Sequence, residues 1–104
     1  MLSCSANSLS HKYNTFKQNA IYSIANFIGG IAYSNYSAGN YSKAIDAYEY
    51  QIRLLDTLLL DLDDLSKSNT IKTDYALSLN NLGFLYSTIG ELAIAEKHLV
   101  RALE

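Results

Sequence analysis

At 104 residues the chain is one small domain or part of one. Nearly half of it (49%) is apolar and none is proline, so long uninterrupted helices around a core are within reach. A formal net charge of −2, with acids and bases interspersed, leaves no electrostatic footprint for nucleic acid or an anionic membrane. The lone Cys4 forms no internal disulfide, which fits a reducing compartment. The start MLSCSANSLSHK lacks the basic and apolar blocks of a signal peptide. Residues 21–33 are apolar-rich but too short, and too interrupted by Asn26 and Gly29-Gly30, to span a bilayer. The expectation is a cytoplasmic, all-helical chain.

In chain order, residues 1–10 are rich in Ser and Asn and are expected to be disordered or frayed. Tyr13, Phe16, Ala20, Ile24, Phe27, Ile28, Ile31 and Ala32 then trace a helical stripe ending near Ala38. Gly29-Gly30 inside it costs about 1 kcal/mol per glycine against Ala, and reads as close helix packing or a kink, with a bare backbone patch for a ligand as the alternative. Gly39-Asn40 is a turn, with glycine as terminator and Asn40 as N-cap of the next helix. That helix carries Tyr41, Ala44, Ile45, Tyr48, Ile52, Leu55, Leu59 and Leu62 and is predicted to reach about Leu65. Residues 67–70 form the expected loop, and Asn69 or Thr70 would cap a helix running through Tyr75, Leu79 and Leu82 to Ile89. Gly90 is then predicted to break the pattern. A last helix runs through Leu92, Ala95, Leu99, Ala102 and Leu103, folded back antiparallel because the turn is so short.

The two hairpins repeat one another. Gly39 and Ala44 recur 51 residues on as Gly90 and Ala95, Ala32 recurs as Gly83, and Tyr48 as Leu99. Two positions depart: Asn35 stands where Tyr86 does, with Tyr36 next door able to serve, and Gln51 stands where Ala102 does. Leu82-Gly83-x2-Tyr86 followed by Ala95-x3-Leu99, with Leu79 at the large apolar position, resembles the tetratricopeptide repeat pattern. The wording of residues 79–104 is similar to repeats of kinesin light chains and of bacterial signalling proteins. The likeness covers about residues 25–104. It implies an all-α fold of antiparallel helical hairpins stacked as a short solenoid. Unit one would be about 11–66 and unit two about 70–104, with Ala32, Gly39, Ala44, Tyr48, Leu79, Leu82, Gly83, Tyr86, Gly90, Ala95, Leu99 and Ala102 as packing positions. The spacing exceeds the family's usual 34 residues, which reads as extra helical turns.

The residue pattern offers no catalytic constellation, cofactor loop or metal set, and no enzyme is expected. The run from Asp61 to Asp64 fails the calcium-loop pattern, because Leu65, Ser66 and Lys72 occupy its fifth, sixth and twelfth places. His11 and His98 lack ligand-spaced partners, and Cys4 lacks a positioned base. Asn35-Tyr-Ser37 and Asn40-Tyr-Ser42 are formal glycosylation acceptors without a secretion signal.

In a stack of such hairpins the first helix of each pair lines a concave groove, the usual binding surface. In unit two that predicts Leu77, Asn80, Asn81, Phe84 and Thr88; in unit one, Asn26, Gly29, Gly30, Tyr33 and Ser37. An Asn at Asn81's place pairs with an extended peptide's backbone in related repeats, which the resemblance implies here. Tyr33 and Phe84 would supply contact area at low entropic cost. No base stands among these positions, so a clamp for a terminal carboxylate is disfavoured. The expected partner is a protein or peptide, with neither nucleic acid nor membrane. A regulatory segment of a larger signalling protein is the alternative. Two hairpins are few for a solenoid, so a truncated array, or self-association through the uncapped last helix, is expected.

Overall fold

A computed structural model describes residues 2–61 and 65–103, with side chains over 9–61 and 67–103. The described residues are almost entirely helical, in three elements: α1 (Leu2–Ser37), α2 (Tyr41–Asp61) and α3 (Leu65–Leu103). The molecule is a narrow rod, 81 × 20 × 16 Å.

The α1–α2 turn forms as expected. Gly39 has a φ of 81°, the left-handed conformation that a side chain disfavours. The Asn40 amide reaches back to the Asn35 carbonyl at 2.8 Å and the Gly39 amide to Tyr36 at 3.0 Å. This is the pair of bonds that closes a Schellman helix end. The Asn40 carbonyl then accepts the Ala44 amide, which starts α2. α2 therefore runs antiparallel to α1.

α2 packs against both other helices and supplies half of the buried apolar residues among those described. Leu55 and Leu58 are fully buried against Ala25 of α1 and Ile71 of α3. Nearer the turn, Ala44 and Tyr48 pack with Ala32 and Leu85. The small-to-small meeting of Ala32 and Ala44 is as expected, and it lets the α1 and α2 backbones approach closely. Tyr36, not Asn35, joins this cluster; the Asn35 amide turns back to the Ile31 carbonyl on its own helix. The exceptional Gln51 is buried, and its Oε1 accepts the Ser78 hydroxyl of α3 at 2.8 Å. Packing on the next helix thus differs through a hydrogen bond.

Three expectations about element ends are corrected. Residues 67–70 are helical, because α3 begins at Leu65. Lys, Ser, Asn and Thr each cost well under about 1 kcal/mol in a helix, and neither Gly nor Pro is present to break it. Asn69 and Thr70 are therefore not caps, and the Asn69 carbonyl accepts the Thr73 hydroxyl inside the helix. The stretch expected to fray is helical from Leu2, again without a breaker in its sequence. The largest difference is at Gly90. It lies inside a continuous 39-residue helix, so residues 91–103 do not fold back and unit two is not a hairpin. Among the described residues only Gly39 has a positive φ. The contrast lies in the residue after each glycine: Asn40 can cap a new helix, whereas Glu91 cannot. A lone interior glycine costs about 1 kcal/mol, less than leaving two new helix ends uncapped. α2 is described to Asp61, and the expected continuation to Leu65, with Asp63 and Asp64, falls on residues outside the described set or outside α2.

Candidate functional site: a cleft between α1 and α3

α1 and α3 run parallel on the same side of α2 and leave a valley between them. Its floor is α2, where Tyr48 and Gln51 point up. Its central cleft, of about 230 Å³, is walled by Asn26, Gly29 and Tyr33 from α1 and by Asp74, Leu77, Ser78 and Asn81 from α3. Toward the α1–α2 turn it narrows into a pocket of about 70 Å³ between Tyr33, Tyr36, Tyr48, Asn81, Phe84 and Leu85. The rings there interlock: Phe84 meets Tyr36 edge-on at 6.1 Å between centroids, and Tyr36 lies 6.4 Å from Tyr33.

Helix periodicity explains the convergence. On α1, Asn26, Gly29, Tyr33 and Tyr36 are set at three- and four-residue steps, as are Asp74, Leu77 or Ser78, Asn81 and Phe84 or Leu85 on α3. Gly29 has a second role. A Cβ built on it would stand 2.4 Å from Nε2 of Gln51, so the glycine makes room for the amide that bonds Ser78. Gly30, by contrast, faces open space away from the cleft.

Of the groove residues expected from sequence, Asn26, Tyr33, Leu77, Asn81 and Phe84 come together, with Gly29 between them. Ser37 and Asn80 are outside both parts. Thr88 returns its hydroxyl to the Phe84 carbonyl of its own helix. Among the packing positions, Leu82 packs on the core, while Leu79, Gly83, Tyr86, Ala95, Leu99 and Ala102 are exposed. They belong to the expected second hairpin, which does not close; of them Tyr86 still reaches α2, where its hydroxyl donates to the Glu49 carboxylate.

A further basin is not legible in the sequence. Gln18, Asn19 and Tyr22 face Leu58, Lys67, Thr70 and Ile71 around about 250 Å³, continuing the same valley toward the far end of α2. Two of its seven lining residues, Lys67 and Thr70, lie in the stretch 67–70, which reads as a loop in the sequence. Tyr22 separates this basin from the central cleft: its hydroxyl donates to the Asp74 carboxylate across the valley.

That bond raises the Tyr22 pKa, because ionising the phenol would lose the donated proton and set two anions together; burial adds to the rise and Asn26 opposes it. Burial likewise raises Tyr48, and the hydrogen bond to Glu49 raises Tyr86. For a phenol raised in the fold, the stabilisation is complete below the unfolded value, about 10, and is lost as pH climbs through the folded one. Thermal melting across about pH 8 to 11 should therefore show Tm falling above about pH 10 in the native chain, and falling less steeply in Tyr22→Phe. Equal slopes would mean that the Tyr22–Asp74 bond does not form in solution.

Chemically the cleft offers amides (Asn26, Asn81, Gln51), phenols (Tyr33, Tyr48) and one carboxylate, Asp74, framed by Leu77 and Phe84. The described residues hold no group of three or more His, Cys, Asp or Glu placed for a metal, and no described helix is long and apolar enough to cross a membrane. No protein-family model matches the chain, and neither curated proteins nor solved structures return a match.

Proposed function

We propose that this chain is a protein-interaction module that holds an extended peptide or protein segment in the α1–α3 cleft. One observation carries the reading: five residues from two helices about 50 positions apart converge on one valley with amide and aromatic walls. Amides suit an extended backbone, which presents alternating donors and acceptors. Phe84 and Tyr33 are more than half exposed and can bury large area on a ligand with little rotamer entropy to lose. The Gly39 turn and the Ala32–Ala44 crossing support a tetratricopeptide-like origin for the α1–α2 pair.

The test is to select binders from a random peptide library on the native chain, then measure the affinity of one of them for variants. Phe84→Ala and Asn81→Ala should each weaken it by about five- to thirtyfold, the range of 1–2 kcal/mol for a lost anchor or hydrogen bond. Asn80→Ala, on the same helix but outside the cleft, should bind as the native chain does. Unchanged affinity in both cleft variants, with helicity intact, would remove the assignment.

A further inference from the structure

The outer face of α1 is a continuous apolar stripe that no described residue covers: Leu9, Tyr13, Phe16, Ile24, Phe27 and Ile31 are all exposed, Phe27 by 71%. At the other end of the rod, residues 91–103 project beyond α2 with every side chain exposed, among them Leu92, Leu99 and Leu103. The 51-residue repeat says what each surface matches. Ala20, Ile24, Phe27 and Ile31 of α1 stand where Ile71, Tyr75, Ser78 and Leu82 stand in α3. Those four residues of α3 pack on α2, as does Leu85, whose counterpart on α1 is Ser34. Likewise Leu92, Ala95 and Leu99 stand where Tyr41, Ala44 and Tyr48 stand in α2. The stripe on α1 is thus an α3-type face without its α2, and the end of α3 is an α2-type face without its α3.

We propose that a second copy of this chain covers the part of this stripe nearest the α1–α2 turn: residues 91–103 of one copy dock antiparallel on α1 around Phe27, Gly30 and Ile31 in the next, repeating part of the α2–α3 contact between molecules. The register comes from observed pairs. Gln51 meets Ser78, and Tyr48 lies beside Asn81. Shifted by the repeat, forward for α2 and back for α3, these become Ala102 against Phe27 and Leu99 against Gly30. Gly30 is an exposed glycine with open space where a Cβ would be, so Leu99 can settle directly on the α1 backbone. No contact among the described residues explains that glycine, and docking does. The two surfaces differ from each other, so the contact is head-to-tail and each added copy leaves one surface of each kind free.

Sedimentation equilibrium of the native chain should therefore give a mass that keeps rising past the dimer with concentration. Phe27→Asp and Leu99→Asp each place a carboxylate in the contact; both residues are more than two-thirds exposed in the single chain, so helicity should hold. Each variant alone should be monomeric. Mixed in equal amounts they should form a one-to-one dimer that grows no further, because Phe27→Asp retains a native α3 end and Leu99→Asp a native α1 stripe. A native chain that remains monomeric at about 100 μM, well above the Kd of a specific interface, would overturn the proposal. So would a native assembly that stops at two, or variants that fail to pair when mixed.

Discussion

Leu55→Ala is expected to lower the unfolding free energy by about 2–5 kcal/mol, the range for truncating a buried leucine. Leu55 is fully buried in α2 and packs with Ala25, Leu58 and Ile71, so one side chain serves both helix contacts. The described core is small: its fully buried large side chains are Leu55, Leu58 and Leu85. A domain of this size has about 5–15 kcal/mol in all, so the loss takes a large part of it. Urea denaturation monitored by helicity should show a lower midpoint with the slope kept. The effect should exceed that of Leu99→Ala, which removes an equal volume from an exposed site. A shift under about 0.5 kcal/mol, the size of an ordinary surface substitution, would mean that α2 does not pack against α1 and α3 as described.

The second large effect concerns Gly29 and Gln51 together. Gly29→Ala improves helix propensity by about 1 kcal/mol, but its methyl would collide with the Gln51 amide. That amide is the end of a flexible side chain, but it is buried, and moving it clear of the methyl strains its bond to Ser78. A buried polar group left unpaired costs about 1–3 kcal/mol. The single change should therefore be destabilising in spite of the better helix former. Gln51→Ala removes the collision, so Gly29→Ala made in that background should stabilise by up to about 1 kcal/mol. The double-mutant cycle should show a coupling of about 1–3 kcal/mol, as expected for side chains in one contact. Additive effects would place Gln51 elsewhere.

The helical class is legible from the 3.6-residue apolar stripes and the absence of proline, and the first turn from Gly39-Asn40, where a left-handed glycine precedes a capping Asn. Gly90 misleads because the glycine alone suggests a terminator, while the missing cap at Glu91 keeps the helix going. Residues 67–70 mislead for a related cause: they are polar, as loops are, yet none of them breaks a helix. The cleft is partly legible because the hairpin pattern assigns Asn26, Tyr33, Leu77, Asn81 and Phe84 to one groove, and helix phase keeps each set on one face. Asn80 and Ser37 fall outside it because a helical face is narrower than the band that the hairpin pattern assigns. The bridge from Tyr22 to Asp74 and the fit of Gln51 over Gly29 join residues distant in sequence, and no local pattern announces them.

A rod only 16–20 Å across has a middle but little interior. Among the described helices α2 alone packs extensively against both others, while the first turns of α1 and the last turns of α3 extend past it at opposite ends. Cooperative unfolding then need not embrace the whole chain. Amides in the centre of α2 should exchange with solvent only by opening the whole bundle, and those beyond Gly90 by unwinding locally, at far smaller free energy. The projecting helix end can thereby be reshaped without disturbing the cleft.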